Sequence, residues 1–387
     1  MKKIKANIGA IFVIVVYMAA GAVCGIFSVK LISHAMGGRA TSVDRILALA
    51  FLLLSIFASM FLHVIIHEGG HYVFGRLSGY RLSSFRIGSF MFIRKDGKVE
   101  LKRFMIAGTG GQCLMTPPDC SDSSFGFPFL LYNLGGIIAN IITSLIGMII
   151  FYVIGGSGFL SVILSVFSII GIAFAIINGV PMKLGGITND GYNALYLGKD
   201  NEVLKAFWRQ LTINGKLAEG IRLKNMPEEW FDHPEGGDMR NPLIHACSIV
   251  KGSRYHDQMD FQRAQELYTK LLEDAPGLLE VHKNEMKCEL MFYEIIGEGR
   301  TEKIDKLYTK SLKKYIKTTS SYISRQRLMY AYELLINKDK LKAQERLKAF
   351  EKTCRSYPYS AEIESEREII EYINHKAEGQ RGEKSKE

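Results

Sequence analysis

Hydrophobic residues fall along this chain in two textures. Up to about residue 198 they form long unbroken runs with many glycines; from 199 onward they thin out among charged residues, with short Gly/Pro breaks. Four runs, at about 8–31, 46–77, 128–154 and 159–180, reach the ~20 residues a helix needs to cross ~30 Å of hydrocarbon. One buried core helix could be this apolar, but four runs of this length predict four transmembrane helices. The start Met1-Lys2-Lys3-Ile4-Lys5 before an apolar run has the look of a secretory signal. The run is too long for one, and Gly-Ala-Val before Cys24 is a poor lipoprotein cleavage site, so it reads as an uncleaved first span. Between the second and third runs, Phe85–Ile93 and Val99–Phe104 flank Arg94-Lys-Asp-Gly-Lys98. Asp-Gly between two such segments predicts a β-hairpin over 85–105. The expected architecture is an all-α polytopic membrane protein with a short β-hairpin at the cytoplasmic interface and a soluble α-helical domain. Its expected parts are a membrane domain at 1–198, a helical domain at 199–378 and a charged, disordered tail at 379–387.

Charge sets the expected orientation. The N-terminus carries three lysines, and the connector 76–127 carries Arg76, Arg81, Arg86, Arg94, Lys95, Lys98, Lys102 and Arg103. The connector 155–158 has no charge, and 32–45 has only Arg39 and Arg45 as positive charges. Positive residues stay inside, so both termini and the 76–127 connector are expected in the cytoplasm of a multi-pass cell-membrane protein. The net charge of +10 then reflects this topology and contact with anionic lipid. No basic motif interleaved with aromatics suggests a nucleic-acid partner. Six cysteines without a C-x-x-C pair fit reduced thiols.

The chemistry sits at the end of the second run, in His67-Glu68-Gly69-Gly70-His71. On a helix, H-E-x-x-H stacks two imidazoles on one face, at the spacing of two Zn²⁺ ligands, with the Glu beside the open position. His67 precedes Arg76 by roughly 14 Å of helix, which places the motif in the cytoplasmic half of the bilayer. Ionisable groups at that depth are costly and usually functional. His63 extends the spacing by another turn, but lies about 12 Å along the axis from His71, too far to share an ion. It reads instead as a group behind the ligands, a pore-facing residue or an interhelical hydrogen-bonding group. A catalytic zinc site takes three protein ligands and an open position. The third candidate is Asp190, after the fourth run, in a stretch broken by Pro181 and loosened by Gly185, Gly186 and Gly191. Asn-Asp-Gly is also a common turn sequence; beside a motif short of one ligand, the metal reading is preferred. The Gly-rich segment Ala107–Gln112 lacks the Gly-Lys-Ser/Thr of a phosphate loop.

These residues resemble the intramembrane site-2-type zinc metalloproteases, the M50 peptidases. That family has H-E-x-x-H in one span, then N-x-x-P followed by Asp-Gly. His67, Glu68, His71, Asn178, Pro181, Asp190 and Gly191 match, and Gly135-Gly136-Ile-Ile-Ala-Asn140 resembles its G-P-x-x-N element. The chain departs from the family in Asn189, where Leu is usual before the Asp, and in a longer stretch from Pro181 to Asp190; Asn193 is the alternative ligand there. The resemblance implies one Zn²⁺ per chain held by His67, His71 and Asp190. It implies peptide hydrolysis by Glu68-assisted attack of zinc-bound water on a membrane-bound regulator or small peptide precursor. Asn140 and Asn178 are then candidates to bind substrate backbone or the oxyanion, or to make interhelical contacts. The 85–105 hairpin could offer an edge for β-addition of substrate, or be an ordinary interfacial hairpin. Segments 107–112 and 184–191 are candidate walls of a water route.

In the second half, Ala264-x₃-Tyr268-x₂-Leu271-Leu272-x₃-Pro276 resembles the second helix of a tetratricopeptide repeat, with poorer echoes at Leu307–Tyr315 and Leu347–Pro358. A repeat-like solenoid would supply a surface for a protein partner; a generic helical bundle is the alternative. The rival function is a non-catalytic membrane scaffold or receptor that uses this domain. Glu68 weighs against it, because a structural metal site needs no general base. Four spans with one buried acidic motif are few for an ion transporter.

Overall fold

A computed structural model describes residues 2–35, 41–95, 97–106, 109–120, 126–156, 158–184, 187–232, 237–238, 240–275 and 277–384. The chain divides into two compact units: Met1–Ile87 with Gly110–Asp200, and Gly88–Thr109 with Asn201–Glu387.

The first unit is built on α1 (Lys2–Ala35), α2 (Ser42–Leu77), α3 (Phe129–Val153) and α4 (Gly158–Gly179). All four are long and apolar enough to cross a membrane. On α2 and α3 much of the buried face is polar, the inverse of a soluble bundle. Leu54, Phe57, Ile149 and Val153 face outward, whereas Ser55, Ser59, His63, His67 and His71 of α2 and Asn133, Asn140 and Ser144 of α3 are buried. An apolar exterior around these buried polar groups and the apolar cluster of Leu52, Val162, Val166 and Phe174 suits lipid as the surrounding solvent. A capping box starts α2: the Thr41 side chain accepts from the Asp44 backbone N–H, and the Asp44 carboxylate accepts from the Thr41 backbone N–H. Its end is a Schellman turn, with Tyr80 N–H on the Gly75 carbonyl at 2.9 Å and Gly79 at φ +85°.

Helices α2 and α3 touch backbone to backbone. A Cβ on Gly70 would come 2.3 Å from the Gly135 carbonyl oxygen, so only glycine permits this approach. After α2 the chain forms β1 (Arg81–Ile87), which pairs antiparallel with β4 (Gly111–Thr116) through a bulge at Leu82/Ser84. After α4 a two-stranded ribbon, Lys183–Leu184 with Ile187–Thr188, leads into α5 (Asp190–Tyr196).

The second unit contains the hairpin of β2 (Phe90–Lys95) and β3 (Lys98–Arg103) and helices α6 (Asn201–Ala218), α7 (Pro242–Asp257), α8 (Phe261–Asp274), α9 (Glu280–Ile296), α10 (Thr301–Leu307), α11 (Lys310–Thr318), α12 (Ile323–Ala331), α13 (Lys340–Ser356) and α14 (Ser360–Lys384). The strand expected over Phe85–Ile93 is two strands, because Gly88 turns the chain at φ +58°. Strands β2 and β3 pair antiparallel on either side of Asp-Gly, with Lys95 opposite Lys98; Asp96 lies outside the described residues. Met91 and Phe104 enter the helical core, and the Phe104 ring meets Tyr322 and Tyr357 edge-on at 5.4 and 5.3 Å. Helix α14 runs through most of the stretch expected to lack structure; residues 385–387 of that stretch, like Pro276 of the repeat-like segment, lie outside the described residues. The Leu307–Tyr315 echo is not one helix, because Thr309 caps a new one at Leu312 N–H. All six cysteines are free.

Candidate metal centre

Three polar atoms from distant parts of the first unit converge on one point. His67 and His71 are one turn apart on α2, both about nine-tenths buried, with their Nε2 atoms 3.2 Å apart. Asp190, the first residue of α5, brings Oδ2 to 3.0 Å from His67 Nε2 and 3.4 Å from His71 Nε2. Two ligands at ~2.05 Å from a tetrahedral Zn²⁺ lie roughly 3.3 Å apart. The observed triangle has edges of that size, so the donor set fits one such ion. It is the one group of three or more His, Cys, Asp or Glu that could hold a metal among the described residues.

The orientation of each ligand has a local cause. His71 Nδ1 lies 2.7 Å from the Tyr132 carbonyl, which can only accept. The proton therefore sits on Nδ1, and the Nε2 lone pair faces Asp190 and His67. The Tyr132 hydroxyl donates to the Cys113 carbonyl at 2.8 Å and so ties α3 to β4. The His67 ring lies against α3 where a Cβ on Gly136 would come 2.5 Å from Nδ1. The glycine at 136 thus leaves room for a ligand.

Asp190 reaches the site in spite of the longer stretch from Pro181. The ribbon absorbs the extra residues, and Asn189 sews the ends together. Its Oδ1 accepts from Met182 N–H and Tyr192 N–H, both at 3.0 Å, and its Nδ2 donates to the carbonyls of Ile177 and Val180 at 2.9 and 2.7 Å. Asn189 is therefore both the N-cap of α5 and a clamp on the end of α4. Gly191 is required beside it, since a Cβ there would come 2.0 Å from the Gly179 carbonyl oxygen. Asn193 instead accepts from the Thr188 hydroxyl at 2.7 Å.

Glu68 is half-buried, and its carboxylate accepts a hydrogen bond from the Cys113 backbone N–H. Strand β4 passes so close that a Cβ on Gly111 would come 2.7 Å from Glu68 Cγ. The carboxylate thus stands beside the three-atom cluster without joining it. Asn140 is fully buried, between His63 and His67. Asn178 donates to the Phe174 carbonyl of its own helix at 3.0 Å. Of the expected water-route segments, residues 107–108 and 185–186 lie outside the described residues. Sequence reasoning missed the Tyr132 carbonyl and Cys113 N–H, because backbone groups leave no residue signature. It noted Asn189 only as a departure.

A family model described as Peptidase family M50 matches residues 55–348. No curated protein and no solved structure matches the chain.

Proposed function

The chain belongs to peptidase family M50, and on that premise we propose that it is an intramembrane zinc endopeptidase of the site-2 type, cutting a membrane-bound regulator or a small peptide precursor. Membership and the four apolar helices make it a multi-pass membrane metalloprotease in the broad sense. The observation that carries the finer reading is the convergence of His67 Nε2, His71 Nε2 and Asp190 Oδ2 beside a carboxylate that is not part of the cluster. His67, His71 and Asp190 would hold the zinc. When bound, the ion would act as a Lewis acid on the scissile carbonyl and make water nucleophilic near neutral pH.

The chain's own residues supply the rest. Glu68 takes the proton of the attacking water and gives it to the leaving amine. The Cys113 N–H fixes one carboxylate oxygen and leaves the other to turn toward the substrate. Apolar flanks of α2 and α3 keep bulk water out, so these charges act in a low-dielectric setting.

An even number of spans puts both ends on one side, and the basic 76–127 connector supports the cytoplasm as that side. The helical domain would receive a protein partner in a tetratricopeptide-like manner. Two features support that role. Gly252 of α7 packs against the Tyr268 ring of α8 so closely that a Cβ would come 2.2 Å from it. The unit also holds a cavity of about 420 Å³ lined by Phe104, Tyr322, Tyr357, Tyr359, Glu285 and Glu362. The test of the catalytic reading is Glu68→Gln, which should keep the metal and lose cleavage; cleavage at the parent rate would reject it.

A further inference from the structure

His63 was set aside as a ligand by distance, yet it is fully buried one turn before His67, and nothing in the proposed chemistry uses it. Its ring lies 4.2 Å from the Phe167 ring, centroid to centroid, and a Cβ on Gly171 would come 2.2 Å from His63 Cε1. The ring is thus held in place by α4. Its Nε2 lies 2.9 Å from the Phe167 backbone carbonyl. A carbonyl only accepts, so Nε2 carries a proton. Among the described residues no carboxylate faces His63. A second ring proton would be a charge buried without a counter-charge. Nδ1 is then a lone pair, and it lies 3.1 Å from the Asn140 side-chain amide. The other end of that amide lies 3.3 Å from His67 Nδ1.

The two ends of an amide exchange by a half-turn that leaves its shape unchanged. Only one orientation gives every contact a donor and an acceptor with both imidazoles neutral. In it the Asn140 NH₂ donates to His63 Nδ1, and the Asn140 oxygen accepts from His67 Nδ1–H. The Phe167 carbonyl thereby dictates, through His63 and Asn140, which nitrogen of His67 is free. We propose that His63 and Asn140 are positioning residues for the metal centre: they hold His67 in the tautomer whose Nε2 lone pair faces His71 Nε2 and Asp190 Oδ2. Asn140 then has both ends of its amide engaged by histidines and is not a substrate contact. This rests on the reading of His67 as a ligand. It matches what the Tyr132 carbonyl does directly for His71, so each ligand histidine has its own acceptor behind it.

The test uses the full chain in detergent and measures Zn²⁺ affinity by competition with a chelator. His63→Leu and Asn140→Leu should each weaken binding about 10- to 100-fold, the usual effect of losing a partner behind a metal-bound histidine. His63→Gln keeps an acceptor toward Asn140 and a donor toward Phe167, and should stay within about threefold of the parent by the same reasoning. Parent-like affinity in both leucine variants overturns the proposal, as does a glutamine variant as weak as His63→Leu. His67→Ala separates the two levels. If it also binds like the parent, the ligand assignment fails; if it alone loses the metal, only the relay fails. Should the leucine variants not fold, ¹⁵N-histidine spectra of the zinc-loaded parent decide. A proton on His67 Nδ1 supports the relay, and metal on Nδ1 overturns it.

Discussion

Replacing Asp190 with alanine removes one of three ligand atoms while leaving its surroundings in place. The helix start does not depend on it, because the Asn189 side chain, not Asp190, accepts from Tyr192 N–H. The Asp190 carboxylate makes its close polar contacts with the two imidazoles, at 3.0 and 3.4 Å. Loss of a partner behind a ligand already costs about 10- to 100-fold in metal affinity. Loss of the ligand itself should cost at least the upper figure, ~100-fold, or about 2.7 kcal/mol. Asp190→Asn keeps an oxygen donor but not its charge and should fall between parent and alanine. The assay is chelator competition for Zn²⁺ in detergent, with thermal unfolding of the zinc-free chain as control; the zinc-free midpoint should move little, within about 1 kcal/mol. Zinc affinity of Asp190→Ala within threefold of the parent would refute the reasoning, and the third ligand would have to be sought elsewhere.

Two further outcomes follow from groups that touch no metal. Asn189→Ala removes four hydrogen bonds that join the end of α4 to α5. At ~0.5–1.5 kcal/mol each it should destabilise the chain by roughly 2–6 kcal/mol and also weaken zinc binding, although it is no ligand; unchanged melting and unchanged zinc affinity would contradict the clamp. In the helical unit, burial pushes the Glu362 carboxyl up to about 7 despite the Tyr357 hydroxyl at 2.5 Å. The folded state then holds a proton that the unfolded state loses above its ordinary carboxylate pKa, so stability falls as pH rises from about 4.5 to about 7. Glu362→Gln should remove that loss, raising the melting temperature more at pH 8 than at pH 4; equal shifts at both would show that Glu362 is not the titrating group.

Much of the membrane unit was legible because lipid imposes a crude rule: a spanning helix must be long and apolar, and a run of that kind survives any detail of packing. The four spans differ from the expected ones by a few residues at most ends. His67 and His71 were legible because the ligand spacing is local to one helix turn. Asp190 was harder, since the ribbon and the Asn189 clamp that bring it back to α2 are long-range contacts. A clamp of this kind reads in sequence only as an unexpected Asn. Strand β4 was missed because Gly111–Thr116 is short and its partner β1 lies some thirty residues away across the hairpin. The break at Gly88 was hidden because apolar residues continue on both sides of it, while the turn is a backbone event at a positive φ. His63 could not be assigned from spacing, because its role depends on a carbonyl of α4 and an amide of α3.

The central claim is that Glu68 performs the proton transfers of peptide hydrolysis beside a metal held by His67, His71 and Asp190. The most direct measurement compares cells producing the parent chain with cells producing Glu68→Gln, reading the termini of membrane peptides and the zinc bound per purified chain. The account predicts cut termini within apolar segments that arise with the parent and vanish with Glu68→Gln, while zinc stays at one per chain in both. The same cut termini at the same abundance with Glu68→Gln would contradict it.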